Sequence, residues 1–144
     1  MSFIAGIDVG EVRIGIAISD SEKRIAFPLG VIKRERGSYG LRRIERILED
    51  REVELFVVGL PKRSDGVVGK EEKKVFDFVE GLKKYFNKDV VTWDERYTTV
   101  IAQQALQEGL SHSGISRANK RKKNIDKIAA QIILQSYLDY INNQ

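Results

Sequence analysis

The sequence predicts an α/β fold: a five-stranded mixed sheet, antiparallel through its first three strands and parallel through the last two, with helices on both faces. Three observations carry this. FIAGIDV (Phe3 to Val9) and VELFVV (Val53 to Val58) are short apolar runs rich in β-branched residues, as strands buried on both faces require. Two further strand-like runs lie between them before any helical pattern begins, so the first three strands form an antiparallel meander. From Ser38 onward, runs at helical spacing alternate with strands, the order that yields parallel neighbours.

After the first strand, Gly10 suits a tight hairpin link. VRIGIAIS then alternates, with Val12, Ile14, Ile16 and Ile18 on one face and Arg13, Gly15, Ala17 and Ser19 on the other. IAFPLGVIK is the third strand, and Pro28, which cannot donate to a ladder, assigns it to a sheet edge. Ser38 is placed to cap a first helix through Leu41, Ile44, Ile47 and Leu48. The Val53 strand must stop at Gly59-Leu60-Pro61, and a turn follows at Asp65-Gly66. Val75, Val79, Leu82 and Phe86 mark a second helix from about Lys70 to Phe86. VVTW (Val90 to Trp93) is the last strand and runs into Asp94-Glu95-Arg96. Thr98 or Thr99 caps a third helix closed by Gly109, and a polar loop from Ser111 to Lys123 leads to a final helix carrying Ile125, Ile128, Ile132, Ile133 and Tyr137. With right-handed crossovers the first strand is central.

The chain has 144 residues and 16.4 kDa, the size of one domain, which we set at 1–144. The absence of cysteine excludes a disulfide scaffold, a thiolate zinc site and a cysteine nucleophile, and points to a reducing, cytoplasmic setting. No apolar run approaches the ~20 residues of a bilayer span, and the N-terminus enters a strand at once, so neither a membrane helix nor a signal peptide is expected. The net charge of +4 is concentrated: RANKRKKNIDK (117 to 127) holds six basic groups against the single acid Asp126, and the rest of the chain sums to −1. A lone basic run is often only a solvated surface, yet this one, with Arg117, Lys120, Arg121, Lys122 and Lys123 crowded just before an acid, suits a phosphate backbone.

Ligands of such sheets gather beyond the carboxyl ends of the parallel strands. Asp8 closes the first strand there, Asp94-Glu95 closes the last, and Asp126 opens the final helix. Asp126 alone would be explained by the helix dipole and Asp94 or Glu95 by a salt bridge with Arg96. Asp8 is harder to dismiss, because an acid ending a buried apolar strand is costly unless paired or bound to a cation. Three carboxylates on one edge call for a hard divalent ion, Mg²⁺ or Mn²⁺, and carboxylates holding such ions cleave phosphodiesters. Strand alternation allows only one of Asp94 and Glu95 to face the site, and the sequence leaves both open. Arg13, Lys62 and Arg63 stand where phosphate contact is expected. Trp93 is read as a hydrophobic residue of a buried strand, and His112 is given no role.

GIDVGEVRIGIAISD, VVGLPKRSDGVVG, WDERYTT and NIDKIAAQIILQSYL resemble, in order and across nearly the whole chain, the four signature blocks of the YqgF/RuvX family. The resemblance implies an RNase H-like fold related to the Holliday-junction resolvase RuvC, and a metal-dependent nuclease that matures the 5′ end of the small-subunit ribosomal RNA precursor. It also implies an acidic triad of Asp8, Glu95 and Asp126. Where the RuvC relatives carry an acid at the end of the fourth strand, this chain has Gly59-Leu60-Pro61, and the acid comes from Asp94-Glu95 instead. Resolution of branched DNA is the alternative activity, and a non-catalytic RNA-binding assembly factor is a third. The sugar-kinase and actin-like ATPases share the Asp-x-Gly hairpin, but they close two such domains around ATP. With no heptad or leftover apolar stripe, the expected state is a monomer or weak homodimer acting on structured RNA.

Overall fold

The structure, a computed structural model, describes residues 1–34, 40–61, 69–95 and 118–143, with only the backbone described at 118–127. The strands are β1 (Phe3–Val9), β2 (Arg13–Ser19), β3 (Ala26–Lys33), β4 (Val53–Leu60) and β5 (Asp89–Asp94). They form one sheet in the order β3-β2-β1-β4-β5. β1 is antiparallel to β2, β2 to β3, and β4 runs parallel to both β1 and β5. The expected mixed sheet, its central first strand and its proline-bearing edge are all present. Pro28 sits on β3 opposite Ala17, where the register shifts and the missing N–H disturbs least.

Helices α1 (Leu41–Leu48) and α2 (Lys70–Phe86) cover one face, packing Ile44, Leu48, Phe78 and Leu82 against Ile7, Ile16, Phe56 and Val58. Helix α3 (Ala118–Asn142) covers the other, with Ala130, Ile133, Leu134 and Leu138 on Ile4, Ala17 and Val57. Each fully buried aliphatic or phenyl side chain here contributes about 1.5–3 kcal/mol relative to exposure. α2 has the predicted bounds, with Glu71 and Glu72 in its first turn and Lys83 and Lys84 in its last, matching the helix dipole at both ends. Among the described residues, no helix is long and apolar enough to cross a membrane.

Four sequence readings need correction. The basic run is not all loop: from Ala118 the backbone is helical, so Lys120, Arg121, Lys122 and Lys123 lie on α3. Lysine and arginine are good helix formers, and a helix can extend beyond its apolar stripe. Asp126 therefore lies past the first turn, and the dipole explanation for it falls away. The N-cap of α1 is Gly40, in the left-handed conformation at φ 76, where glycine carries no penalty, while Ser38 lies outside the described residues. Val12 belongs to the β1–β2 turn and is 57% exposed instead of extending β2, whose other face is also buried because α3 lies on it. The helix expected after Thr98 and Thr99, and His112, fall outside the described residues.

Candidate active site

The pleat of β1 assigns its side chains to the two faces. Ala5 and Ile7 meet α1 and α2, so Ile4, Gly6 and Asp8 point toward α3. Gly6 is required there, because a Cβ on it would stand 2.6 Å from Leu134 Cβ and 3.2 Å from the Ala130 carbonyl oxygen. α3 thus lies nearly on the β1 backbone. Its direction is fixed by side chains that grip the opposite edge of the sheet. Gln135 accepts from Ala26 N–H at 2.8 Å and donates to Arg24 O, and Asn142 donates to Lys23 O at 2.8 Å. α3 therefore runs antiparallel to β1, and Asp126, one turn before Ala130, is carried on the backbone toward the carboxyl end where Asp8 stands. The Asp126 side chain lies outside the described residues.

Asp8 has glycines in both neighbouring strands. It pairs with Gly15 of β2, and the parallel register, with Ile7 opposite Val58, carries it alongside Gly59 of β4. Gly59 in turn pairs with Trp93 of β5, and Asp94 with Leu60. Glu95 follows in 3₁₀ conformation, and its side chain folds back over β4. A Cβ on Gly59 would lie 2.7 Å from Glu95 Oε1 and 2.5 Å from Ile133 Cδ1, so the space Glu95 occupies exists only because residue 59 has no side chain. Through that gap Glu95 hydrogen-bonds to Asp8. Burial first, then the Asp8 charge and that hydrogen bond, raise the Glu95 carboxyl from 4.5 to about 8, with smaller contributions from Asp94 and Glu71. Asp94 is half-buried beside it and faces the α2 side with Leu60.

Asp8 and Glu95, half-buried and hydrogen-bonded to one another, bring carboxyl oxygens together as a hard donor set of the kind that a divalent cation takes. Asp8 and Glu95 fit Mg²⁺ or Mn²⁺ on that ground. Among the described residues, no three acidic, histidine or cysteine side chains converge in a way that could hold a metal ion; the third expected acid, Asp126, is one whose side chain is not described.

The basic residues divide. Arg13 begins β2 at the same edge as Asp8, and its carbonyl accepts from Gly10 N–H at 2.9 Å. Arg117, Lys62 and Arg63 lie outside the described residues, and Lys120 to Lys123 are described as backbone only. Two cations absent from the sequence expectations, Arg34 and Lys74, line a cleft with Glu95. Arg34 donates from Nη1 to Gly10 O at 3.2 Å, and with Lys74, Pro61 and Glu71 it lines a cleft of about 240 Å³ that opens onto Glu95. Neither sits in a recognisable motif. Gly59 was legible only as a missing acid.

The chain matches the RuvX family model, described as Holliday junction resolvase, over residues 2–140. It is 48% identical over 141 residues, 98% of this chain and 99% of its relative, to a protein of Thermoanaerobacter pseudethanolicus named "Putative pre-16S rRNA nuclease". A Clostridium tetani protein of the same name is 45% identical over 98% of this chain and 99% of its own. Among solved structures, Thermus thermophilus RuvC in complex with Holliday junction substrate aligns with a TM-score of 0.56 at 14% identity, covering 96% of this chain and 97% of RuvC. The Fowlpox virus resolvase in complex with Holliday junction DNA aligns at 0.53 and 13% identity, covering 96% of this chain and 98% of the resolvase. At such identities the likeness is one of fold, the RNase H-like fold expected above. By the family match and the two relatives together, the chain belongs to the RuvX family.

Proposed function

We propose that residues 1–144 form one metal-dependent nuclease domain that hydrolyses phosphodiester bonds in the 5′-end processing of pre-16S ribosomal RNA, in the cytoplasm. The observation that carries this reading is the Asp8–Glu95 pair, half-buried at the carboxyl edge of the parallel strands and joined by a side-chain hydrogen bond. Asp8, Glu95 and Asp126 are the residues assigned to hold Mg²⁺ or Mn²⁺, with Asp94 the alternative to Glu95. When bound, the ion supplies the Lewis acidity that activates a water and stabilises the leaving oxygen. The chain's own part is positional. Asp8 is held by its pairing with Gly15 of β2 and by the β1–β4 pairing that ends one residue before it, Glu95 releases its proton as the site loads, and Arg13, Lys62, Arg63, Arg117 and Lys120 to Lys123 are assigned to the phosphate backbone.

The test offers purified protein a precursor carrying the 16S 5′ end, structured RNA, single strands and four-way DNA junctions, each with Mg²⁺ or Mn²⁺. Shortened 5′ ends that disappear in Asp8→Asn, Glu95→Gln and Asp126→Asn support the reading. Wild-type turnover by Asp8→Asn would remove it. Junction resolution is the second reading, favoured by the fold shared with junction-bound RuvC and the Fowlpox virus enzyme. Binding of RNA without any metal-dependent cleavage would leave the assembly-factor reading.

A further inference from the structure

Trp93, the only tryptophan of the chain, lies on β5 two residues before Glu95 and reaches the flank of α3. Its indole Nε1 donates to Ser136 Oγ at 3.1 Å, which fixes the ring, and Tyr137 meets it edge-on with centroids 5.5 Å apart. Tyr140 stands 5.3 Å away on a tilted plane and is 52% exposed. Trp93, Tyr140, Ser136, Asp139 and Asn143 line an open cavity of about 580 Å³. Aromatic faces beside polar groups are how proteins take unstacked bases from single strands.

We propose that Trp93 and Tyr140 wall a subsite for one unpaired nucleobase of the RNA strand that crosses the Asp8–Glu95 edge, with Asp139 selecting bases that carry an exocyclic amine. The assignment rests on the nuclease reading above for the course of the strand. Asp139 Oδ1 already accepts from Gln135 Nε2 at 3.0 Å, and a carboxylate has further lone pairs to accept from an adenine or cytosine amino group. The same charge repels phosphate, so the cavity suits a base and not the backbone. Uracil, which offers no exocyclic amine, fits least well.

Because Trp93 is the sole indole, its fluorescence reports occupancy of this cavity directly. Short oligoadenylate, oligocytidylate, oligouridylate and a blunt RNA duplex would be titrated into the protein in EDTA, so that nothing is cut. The adenine and cytosine strands should quench the indole, uridine strands should bind at least about fivefold more weakly, and the duplex should leave the signal unchanged. Tyr140→Ala should weaken adenine binding roughly 5- to 150-fold, the range of one lost base stack. Tyr140→Phe should retain it, and Asp139→Asn should abolish the preference over uridine. Unquenched fluorescence at saturating oligoadenylate, or wild-type affinity in Tyr140→Ala, would overturn the proposal. Glu95→Gln, run in parallel, should quench normally while failing to cleave; if it cleaves, the acid-pair reading fails while the base subsite keeps its own signal.

Discussion

Gly59→Ala separates the site from the fold more sharply than removal of an acid. The added Cβ would fall 2.5 Å from Ile133 Cδ1 and 2.7 Å from Glu95 Oε1, roughly 1 Å inside ordinary contact on each side. Both atoms are the ends of side chains, so they can swing away while the β4 backbone stays in register. Overpacking of this kind costs about 1–3 kcal/mol, and replacing a glycine in extended backbone returns about 0.4–1 kcal/mol through the unfolded chain. The net loss, about 0–2.6 kcal/mol, leaves a domain of ordinary stability folded. Glu95, however, must move about 1 Å from Asp8, and displacements of that size in an active site can lower the rate about 100-fold. Urea denaturation, Mn²⁺ affinity and single-turnover cleavage on the same preparation read these effects apart. Adding Ile133→Val, which deletes the clashing methyl, should recover stability without recovering the rate. Gly6→Ala is the contrast, since its Cβ meets Leu134 Cβ and the Ala130 carbonyl and forces the helix itself to shift, giving the larger stability loss. A folded Gly59→Ala protein with wild-type Mn²⁺ affinity and cleavage rate would refute this account of the site.

Glu95 keeps its proton to about pH 8 in the folded chain against an ordinary 4.5, so its contribution to metal-free stability is full below 4.5 and lost as pH rises to 8. The decline, at most about 1.4 kcal/mol per pH unit, should flatten in Glu95→Gln and on adding Mg²⁺; melting curves in EDTA across that window check it. Neutralising Arg117, Lys120, Arg121, Lys122 and Lys123 should flatten the salt dependence of RNA binding, each lost phosphate contact removing about 0.7 from the log–log slope on single strands and about 0.9 on duplex. An unchanged slope would mark the run as solvated surface. Sedimentation at micromolar concentration should give a monomer or weak dimer, whereas a stable two-fold dimer making paired symmetric nicks in junction DNA would favour resolution.

The sheet was legible because strands buried on both faces and a proline at an edge leave local marks, and α2 because its apolar period and its terminal charges agree. Helix starts were less so. Gly40 caps α1 by backbone conformation and not by a side chain, and α3 begins among charged residues that carry no period. Asp8 announced itself as an acid at the end of an apolar strand. The contact of Glu95 with Asp8 did not, because Glu95 follows the last residue of β5, where alternation ceases to apply, and its path to Asp8 depends on a glycine of a different strand. Such a relation exists only once the register of β4 and β5 is set.

The grip of α3 on the far edge of the sheet bears on the order of folding. Residues 3 to 95 can pair their strands and bury one face under α1 and α2, yet Ile4, Ala17, Ala26 and Val57 stay bare until Ala130 to Leu138 arrive. Gln131 and Gln135 then close contacts more than 100 residues apart in the chain, completing the hydrogen bonds of Ala26. Loops of that length form late, so the exposed face of the half-built sheet is where this chain is most open to aggregation during synthesis. The same event delivers the backbone of Asp126 to the carboxyl edge, which ties completion of the second core to assembly of the acidic edge.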